Sequence, residues 1–327
     1  MSENDFNFNY LLDRIADFSR NSRRSDDNTS NAARRSLSIR VGIDPSPRCG
    51  AIDLSLPLGY DASGMSLSTE TGRSGAMMIH GIGPVYEALR SPRCQVTELW
   101  VAYTRRAKGI DKILREAESR KVPIRHLERS RLNTLTKNAT HQGVAGLVER
   151  FDYADLDHVL RVGLGDPLLL VLDGIEDPRN LGALVRTADA CGVWGVVIPK
   201  DRAAGVTGIV VKSSAGAVFH TPIMVVTNIS NTLRKIKERG IWVIGATAEA
   251  KLDLYRQDLR IPLAVVIGGE GRGIRPLVRQ HCDFLVSIPM KGQINSLNAS
   301  VAGAVILYEV LRQRQERSQS TRHTDTF

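Results

Sequence analysis

The apolar positions fall into two regimes along the chain. From Pro167 onward, near-continuous runs of Leu, Val and Ile alternate with stretches of helical spacing. LLLVLD, WGVVIP, IWVIGAT, PLAVVIGG and DFLVSIP read as strands; NLGALVRTADACG, TNISNTLRKIKERG and SLNASVAGAVILYEVLRQR read as helices. Strands with no polar face are buried on both sides, which predicts a parallel sheet covered by helices. Between Ala76 and about residue 150 the elements are shorter. MMIHGIGPVYEALRS reads as strand, glycine turn and helix, and QVTELWVAY as a strand. GIDKILREAESRKV places Ile113, Leu114 and Ala117 at helical spacing, and PIRHLE and GVAGLVERF are strand candidates. This predicts a small α/β sandwich, with YADLDHVLRVGLGD bridging to the parallel sheet.

The first 75 residues have no such periodicity. SRNSRRSDDNTSNAARRS mixes Ser, Asn, Asp and Arg, a composition that buries too little apolar surface to offset chain entropy. The expected organisation is a mostly disordered extension over 1–75, carrying at most a short helix over 6–18. A small α/β domain follows over 76–150, a linker over 151–165, the parallel-sheet domain over 166–314 and a polar, frayed tail over 315–327. The extension's arginines either add weak RNA contacts or belong to an inert linker.

Charge narrows the choice of partner. The net charge of +9 favours a polyanion, bound through phosphate contacts. In the 76–150 region Arg105, Arg106, Lys108, Arg129, Arg131 and Lys137 lie largely in connections, where binding groups are commonly carried. No apolar run reaches about 18 residues, so no membrane span is expected. The acids Glu3, Asp5, Asp13 and Asp17 argue against a secretory or transit segment. Cys49, Cys94, Cys191 and Cys282 form no CxxC pair, which makes a zinc site or disulfide framework improbable and a reducing cytoplasm the default.

Three segments of the C-terminal half carry the candidate chemistry, each following an apolar strand. In the first, Asp177 to Asp189, Pro178 and Asn180 suit a turn and helix start, and Arg186 falls in the second turn. The second, Val266 to Ile274, holds four glycines within six residues, which lets backbone groups approach a ligand; no turn geometry requires Glu270 among them. Its spacing is not that of GxGxxG, which counts against a nucleotide-dependent oxidoreductase. In the third, Ile288 to Asn298, Ser296 and Asn298 are either helix caps or groups that recognise a small polar ligand. Segments that follow parallel strands converge at the carboxyl edge of the sheet, where ligands bind in open α/β folds.

RNLGALVRTADACGVWGVVIP, VIGGEGRGI and IPMKGQINSLNASVAGAVILYE resemble, in order and spacing, the three motifs of the SpoU (TrmH-like) RNA 2′-O-ribose methyltransferases of the SPOUT superfamily. HGIGPVYEALRS and His141-Gln142-Gly143-Val144 resemble the ribosomal-protein-like RNA-binding domain of the rRNA-modifying branch, whose best-known member methylates a 23S rRNA guanosine. The resemblance covers about residues 76 to 314. It implies a trefoil-knotted α/β methyltransferase domain preceded by that RNA-binding domain, S-adenosyl-L-methionine as cofactor, an RNA substrate (rRNA first) and a cytoplasmic homodimer. It further implies that Arg186 is the catalytic arginine, either as base or as electrostatic anchor, and that Asn180, Glu270, Ser296 and Asn298 orient Arg186, substrate or cofactor. Gly268, Gly269, Ile288 and Leu297 match the positions that line the cofactor pocket, and no metal is implied. His141 is structural or RNA-contacting rather than a general base. The alternatives are a tRNA ribose methyltransferase and a catalytically silent RNA-binding scaffold.

Overall fold

The computed structural model of the chain describes residues 73–74, 76–103, 108–163 and 165–324. The expected helix at 6–18, the 1–75 extension apart from Arg73–Ser74, and Arg105 and Arg106 lie outside the described residues.

A mixed sheet is built first. Strands β1 (Arg73–Ser74), β2 (Met77–His80), β3 (Cys94–Ala102), β4 (Ile124–Leu127) and β5 (Val144–Asp152) take the order β1-β5-β3-β4, with β2 also paired to β5. β3 and β4 are parallel; β5 runs antiparallel to β1, β2 and β3. Helices α1 (Ile82–Arg90), α2 (Ile110–Ser119) and α3 (Arg129–Leu135) connect them. A helix α4 (Leu156–Val162), capped by Asp155 accepting from the His158 N–H, occupies the stretch expected as a linker.

The second sheet is all parallel. Strands β6 (Leu168–Asp173), β7 (Gly195–Pro199), β8 (Ile223–Val226), β9 (Trp242–Ala246), β10 (Leu252–Asp253), β11 (Leu263–Gly268) and β12 (Phe284–Ser287) take the order β10-β12-β9-β11-β6-β7-β8. Their apolar runs are buried on both faces, as the pattern requires. Leu168, Leu170 and Leu172 of β6 point into one core with α5 (Pro178–Ala190), α6 (Gly208–Ser213) and α9 (Ala299–Thr324). Leu169 and Val171 point into another, with α4, α7 (Ile229–Lys237) and α8 (Pro276–His281). The short α6, α8, β8 and β10 fall outside the elements read from the pattern. The tail expected to fray after Arg314 is instead helical to Thr324; its Gln, Glu and Arg residues are good helix formers, and Arg312 pairs with Glu316 one turn on.

The first core continues into the mixed sheet, through Ile79, Leu99 and Phe151. Specific contacts join the two sheets. Lys212 Nζ of α6 donates to the Thr140 carbonyl at 2.9 Å, Ser91 Oγ donates to the Phe219 carbonyl at 3.0 Å, and Glu87 meets His220 at 2.8 Å. A side chain at Gly208 would collide with the Met78 carbonyl, so β2 lies directly against the start of α6.

Candidate active site

The carboxyl edge of the parallel sheet gathers the three segments. β6 ends at Asp173, the chain turns at Gly174, and Asp177 caps α5 by accepting from the Arg179 N–H at 2.8 Å. Pro178 at the first helical position has no N–H to leave unsatisfied. Leu181, Leu184, Val185 and Ala188 bury one side of α5, which leaves Asn180 half-buried in the first turn.

Asn180 Nδ2 donates to Glu270 Oε1, across ninety positions of sequence. Asn298 Nδ2 donates to Asn180 Oδ1 and to Glu270 Oε1, each at 3.2 Å. One side chain from each segment therefore meets the other two. Asn298 also caps α9, its Oδ1 accepting from the Ser300 N–H at 2.9 Å and the Ser300 hydroxyl at 2.6 Å. The cap reading of Asn298 is realised; Ser296 is exposed and makes no hydrogen bond among the described residues.

Arg186 is not part of this cluster. Six residues beyond Asn180, it lies about 120° around the helix axis and roughly 9 Å along it. It is exposed, with no ion pair or hydrogen bond among the described residues.

The glycine segment is organised by a pair that sequence reasoning missed. Asp173, with a fully buried side chain, accepts from the Arg275 backbone N–H at 2.8 Å and from Arg275 Nε at 2.7 Å, with Nη2 at 2.5 Å. The Asp173 carbonyl takes the Gly269 N–H at 3.0 Å, and Gly273 N–H closes the loop onto Gly269 at 2.9 Å. Gly271 and Gly273 adopt φ of 76° and 64°, which suits residues without Cβ. A Cβ on Gly268 would lie 2.1 Å from Gly273, and one on Gly269 2.2 Å from the Gly174 carbonyl. These two glycines let the loop pack closely on itself. The available signal was the polar end of the otherwise apolar LLLVLD.

The third segment is open. Among the described residues, Pro289–Leu297 makes no main-chain hydrogen bond to other main-chain groups, and Met290, Ile294 and Leu297 are exposed while Ile288 packs on the core. Free peptide groups beside uncovered apolar side chains fit a ligand with a heteroaromatic edge and an aliphatic chain. No group of three or more metal-ligating side chains occurs among the described residues. A cleft of about 430 Å³ at the ends of β7 and β8 is lined by Pro199, Asp201, Arg202, Thr227 and Arg275, and none of the expected site residues lines it.

His141 is structural. It is buried, its Nδ1 accepts from the Gly143 N–H at 3.0 Å, and its Nε2 faces Asn133 Oδ1 at 2.7 Å. These partners fix a neutral imidazole protonated on Nε2. Burial first, then Arg129 and Lys212, holds its pKa below the ordinary value.

Known proteins are similar to this chain in sequence and in fold. Residues 167–308 match the SpoU rRNA Methylase family, and residues 78–154 match the RNA 2′-O ribose methyltransferase substrate-binding family. The chain is 43% identical over 237 residues to YacO of Bacillus subtilis, named as a TrmH family tRNA/rRNA methyltransferase, covering 72% of this chain and 94% of that protein. It is 42% identical over 242 residues to the 23S rRNA (guanosine-2′-O-)-methyltransferase RlmB of Pseudomonas syringae, covering 73% and 96%. The crystal structure of the SpoU methyltransferase AviRb from Streptomyces viridochromogenes, in complex with the cofactor AdoMet, superposes with a TM-score of 0.64 at 28% identity, over 74% of this chain and 92% of that one. The chain belongs to the SpoU rRNA methylase family.

Proposed function

We propose that the protein transfers a methyl group from S-adenosyl-L-methionine to the 2′-oxygen of a ribose in RNA, the substrate being a guanosine of 23S rRNA. The observation that carries this is the meeting of Asn180, Glu270 and Asn298 at the carboxyl edge, the helix of Asn180 also carrying Arg186, exposed and without an ion pair among the described residues. The match to RlmB over 96% of that protein supports the nucleotide, and AdoMet bound to AviRb supports the cofactor. YacO's name, which covers tRNA as well as rRNA, keeps a tRNA ribose as the second reading.

The cofactor, when bound, supplies an electrophilic methyl group on a sulfonium. Gly268 and Gly269 of the glycine loop and Ile288 and Leu297 of the third segment would hold it, the third segment offering peptide groups without main-chain partners among the described residues and exposed apolar side chains beside them. The Asn180–Glu270–Asn298 cluster ties helix α5, the glycine loop and the third segment to one another, so that positioning, the main requirement for a weak hydroxyl nucleophile, is set before RNA arrives. Ser296 is read as a substrate contact, its exposed hydroxyl having no hydrogen-bond partner among the described residues. A guanidinium carries five donors and no acceptor. Arg186 is therefore read as an anchor that binds the ribose oxygen and a flanking phosphate, stabilising the oxygen as its proton leaves to water.

The remaining family features are part of the same reading. Residues 76–150 bind the RNA and 166–314 form the catalytic domain, with the third segment and α9 completing a trefoil knot. The chain works as a homodimer in the cytoplasm. Val301 and Tyr308, one heptad apart and exposed on α9, supply apolar surface for the second subunit. Among the described residues no helix is long and apolar enough to cross a membrane. Mapping 2′-O-methyl sites across total rRNA and tRNA, with and without the gene, tests the proposal. Loss of one 23S guanosine methylation is expected. A lost tRNA site would favour the second reading, and unchanged maps would refute both.

A further inference from the structure

Tyr103 is an aromatic side chain left largely uncovered by the described residues. It stands just past the end of β3, 71% exposed, and its N–H is held by the Leu127 carbonyl at 2.9 Å. The ring stacks on His126 of β4, with centroids 5.8 Å apart and planes 30° from parallel. The parallel register of β3 and β4 sets this pair: Val101 is level with His126 and Ala102 with Leu127. Two backbone strands thus fix a flat, open surface that contributes nothing to a core.

The charge around it is positive and available. Arg129 and Arg131, in the first turn of α3, are exposed and have no ion pair or hydrogen bond among the described residues. Of the neighbouring charges, Arg125 is engaged by Glu98, and the Glu128 carboxylate accepts from Ser130 Oγ at 3.4 Å. Arg129 also lies close enough to His141 to oppose its protonation. Contacts run from α3 toward α5: Asn133 Oδ1 faces His141 Nε2 at 2.7 Å, the carbonyl of the preceding Thr140 takes Lys212, and Ser213 Oγ meets the Pro178 carbonyl at 3.4 Å, beside Gly182 of α5.

We propose that Tyr103 and His126 form a stacking platform for an unpaired base of the RNA, with Arg129 and Arg131 holding the phosphates next to that base. The proposal rests on the reading of RNA as substrate and names where the strand is gripped. An exposed ring, with exposed cations starting two residues after the strand that carries its stacking partner, is a combination that single-stranded nucleic acid recognises, since every base offers a π-face and every linkage a charge. The line of contacts from α3 through Lys212 to α5 connects this grip to the first turn that carries Asn180.

The test uses the full chain and a short oligoadenylate carrying a central 2-aminopurine, whose fluorescence reports stacking. Tyr103→Ala is expected to weaken binding roughly 5- to 150-fold and to abolish the fluorescence change, while the slope of log affinity against log salt stays the same. Tyr103→Phe, which keeps the ring, should bind like the parent. Arg129→Ala with Arg131→Ala should lower the salt slope by about 1.4 and keep the fluorescence change. Exposure of all three residues makes folding defects improbable, and circular dichroism checks this. In methyl transfer to deproteinised rRNA lacking the modification, Tyr103→Ala should raise KM and spare kcat. Equal affinity and fluorescence for parent and Tyr103→Ala, or no fluorescence change with the parent, overturns the platform. A parent that transfers no methyl to any RNA refutes the functional reading instead, and the oligonucleotide arm still decides the platform.

Discussion

Replacing Arg275 with alanine removes the guanidinium from a carboxylate that has no other route to solvent. Asp173 has a fully buried side chain and receives three donors, all from Arg275. Alanine keeps the backbone N–H at 2.8 Å and deletes Nε at 2.7 Å and Nη2 at 2.5 Å. Hydrogen bonds to a charged group are worth about 1.5–3 kcal/mol each, and orphaning one half of a buried pair costs about 3–5 kcal/mol. The Arg275 side chain is 45% exposed, so water can enter the space it leaves and hydrate Asp173 in part. The expected loss is therefore at the low end, about 3 kcal/mol. With a urea m-value near 3 kcal/mol/M, the unfolding midpoint falls by about 1 M at unchanged m, measured at one protein concentration. Asp173→Leu added to Arg275→Ala removes the stranded charge and should restore part of the loss. A fall below about 0.2 M would place the pair with surface salt bridges and refute the reasoning, as would purely additive losses in the double variant.

Arg186→Ala should leave S-adenosylmethionine affinity within about threefold while single-turnover methyl transfer drops by at least about 100-fold, the scale of losing one charge-stabilising donor; near-normal transfer would sink its assignment. Glu270→Gln keeps an acceptor for Asn180 and Asn298, so calorimetry should show cofactor affinity closer to the parent than for Glu270→Ala; equal losses would mean that the hydrogen bonds of this side chain do not position the pocket. His80 and His141 are both held below the ordinary histidine pKa, first by burial, then by Lys212 and each other's charge for His80 and by Arg129 and Lys212 for His141. The unfolded chain then binds more protons near neutrality, so this stability is complete above about pH 6.5 and is lost as pH falls below it. Urea midpoints should decline from about pH 7.5 to 5.5, and His141→Asn should flatten the decline; a profile level in the parent would contradict it.

Legibility followed local periodicity. β6, β7 and β11 were evident because each alternates burial between two cores and so carries no polar face. α6 and α8 were not, since six residues give less than two turns and no amphipathic period can be counted. The meeting of Asn180, Glu270 and Asn298 was expected from strand-end placement and motif resemblance, yet their mutual hydrogen bonds depend on positions 90 and 118 apart. Asp173 and Arg275 were missed for the same reason: an acid at a strand end and an arginine before Pro276 each look like ordinary boundary residues, and only the folded chain pairs them. The close packing of Gly268 on Gly273 and of Gly269 on Gly174 is not legible in the glycine spacing, because those contacts exist only in the folded loop.

The contrast between Arg186 and Arg275 carries the mechanistic reading further than either residue alone. Both arginines belong to segments that meet at the same sheet edge. Arg275 spends its donors on the chain, holding Asp173 and through it the loop on which Glu270 sits. Arg186 spends none, although its helix presents it within about 9 Å of a carboxylate-bearing cluster measured along the axis. The separation is set by helical phase: six residues from Asn180 turn the side chain about 120° away, beyond hydrogen-bonding reach of Glu270. Were Arg186 four residues from Asn180 instead, it would share that face and Glu270 would neutralise it. The spacing thus keeps one cation free for an anionic substrate while the acid nearby remains occupied with Asn180 and Asn298. A variant that moves the acid within reach, such as Ala183→Glu one turn before Arg186, should quench the arginine and depress transfer with little change in cofactor affinity; unimpaired transfer would show that the free state of Arg186 is incidental.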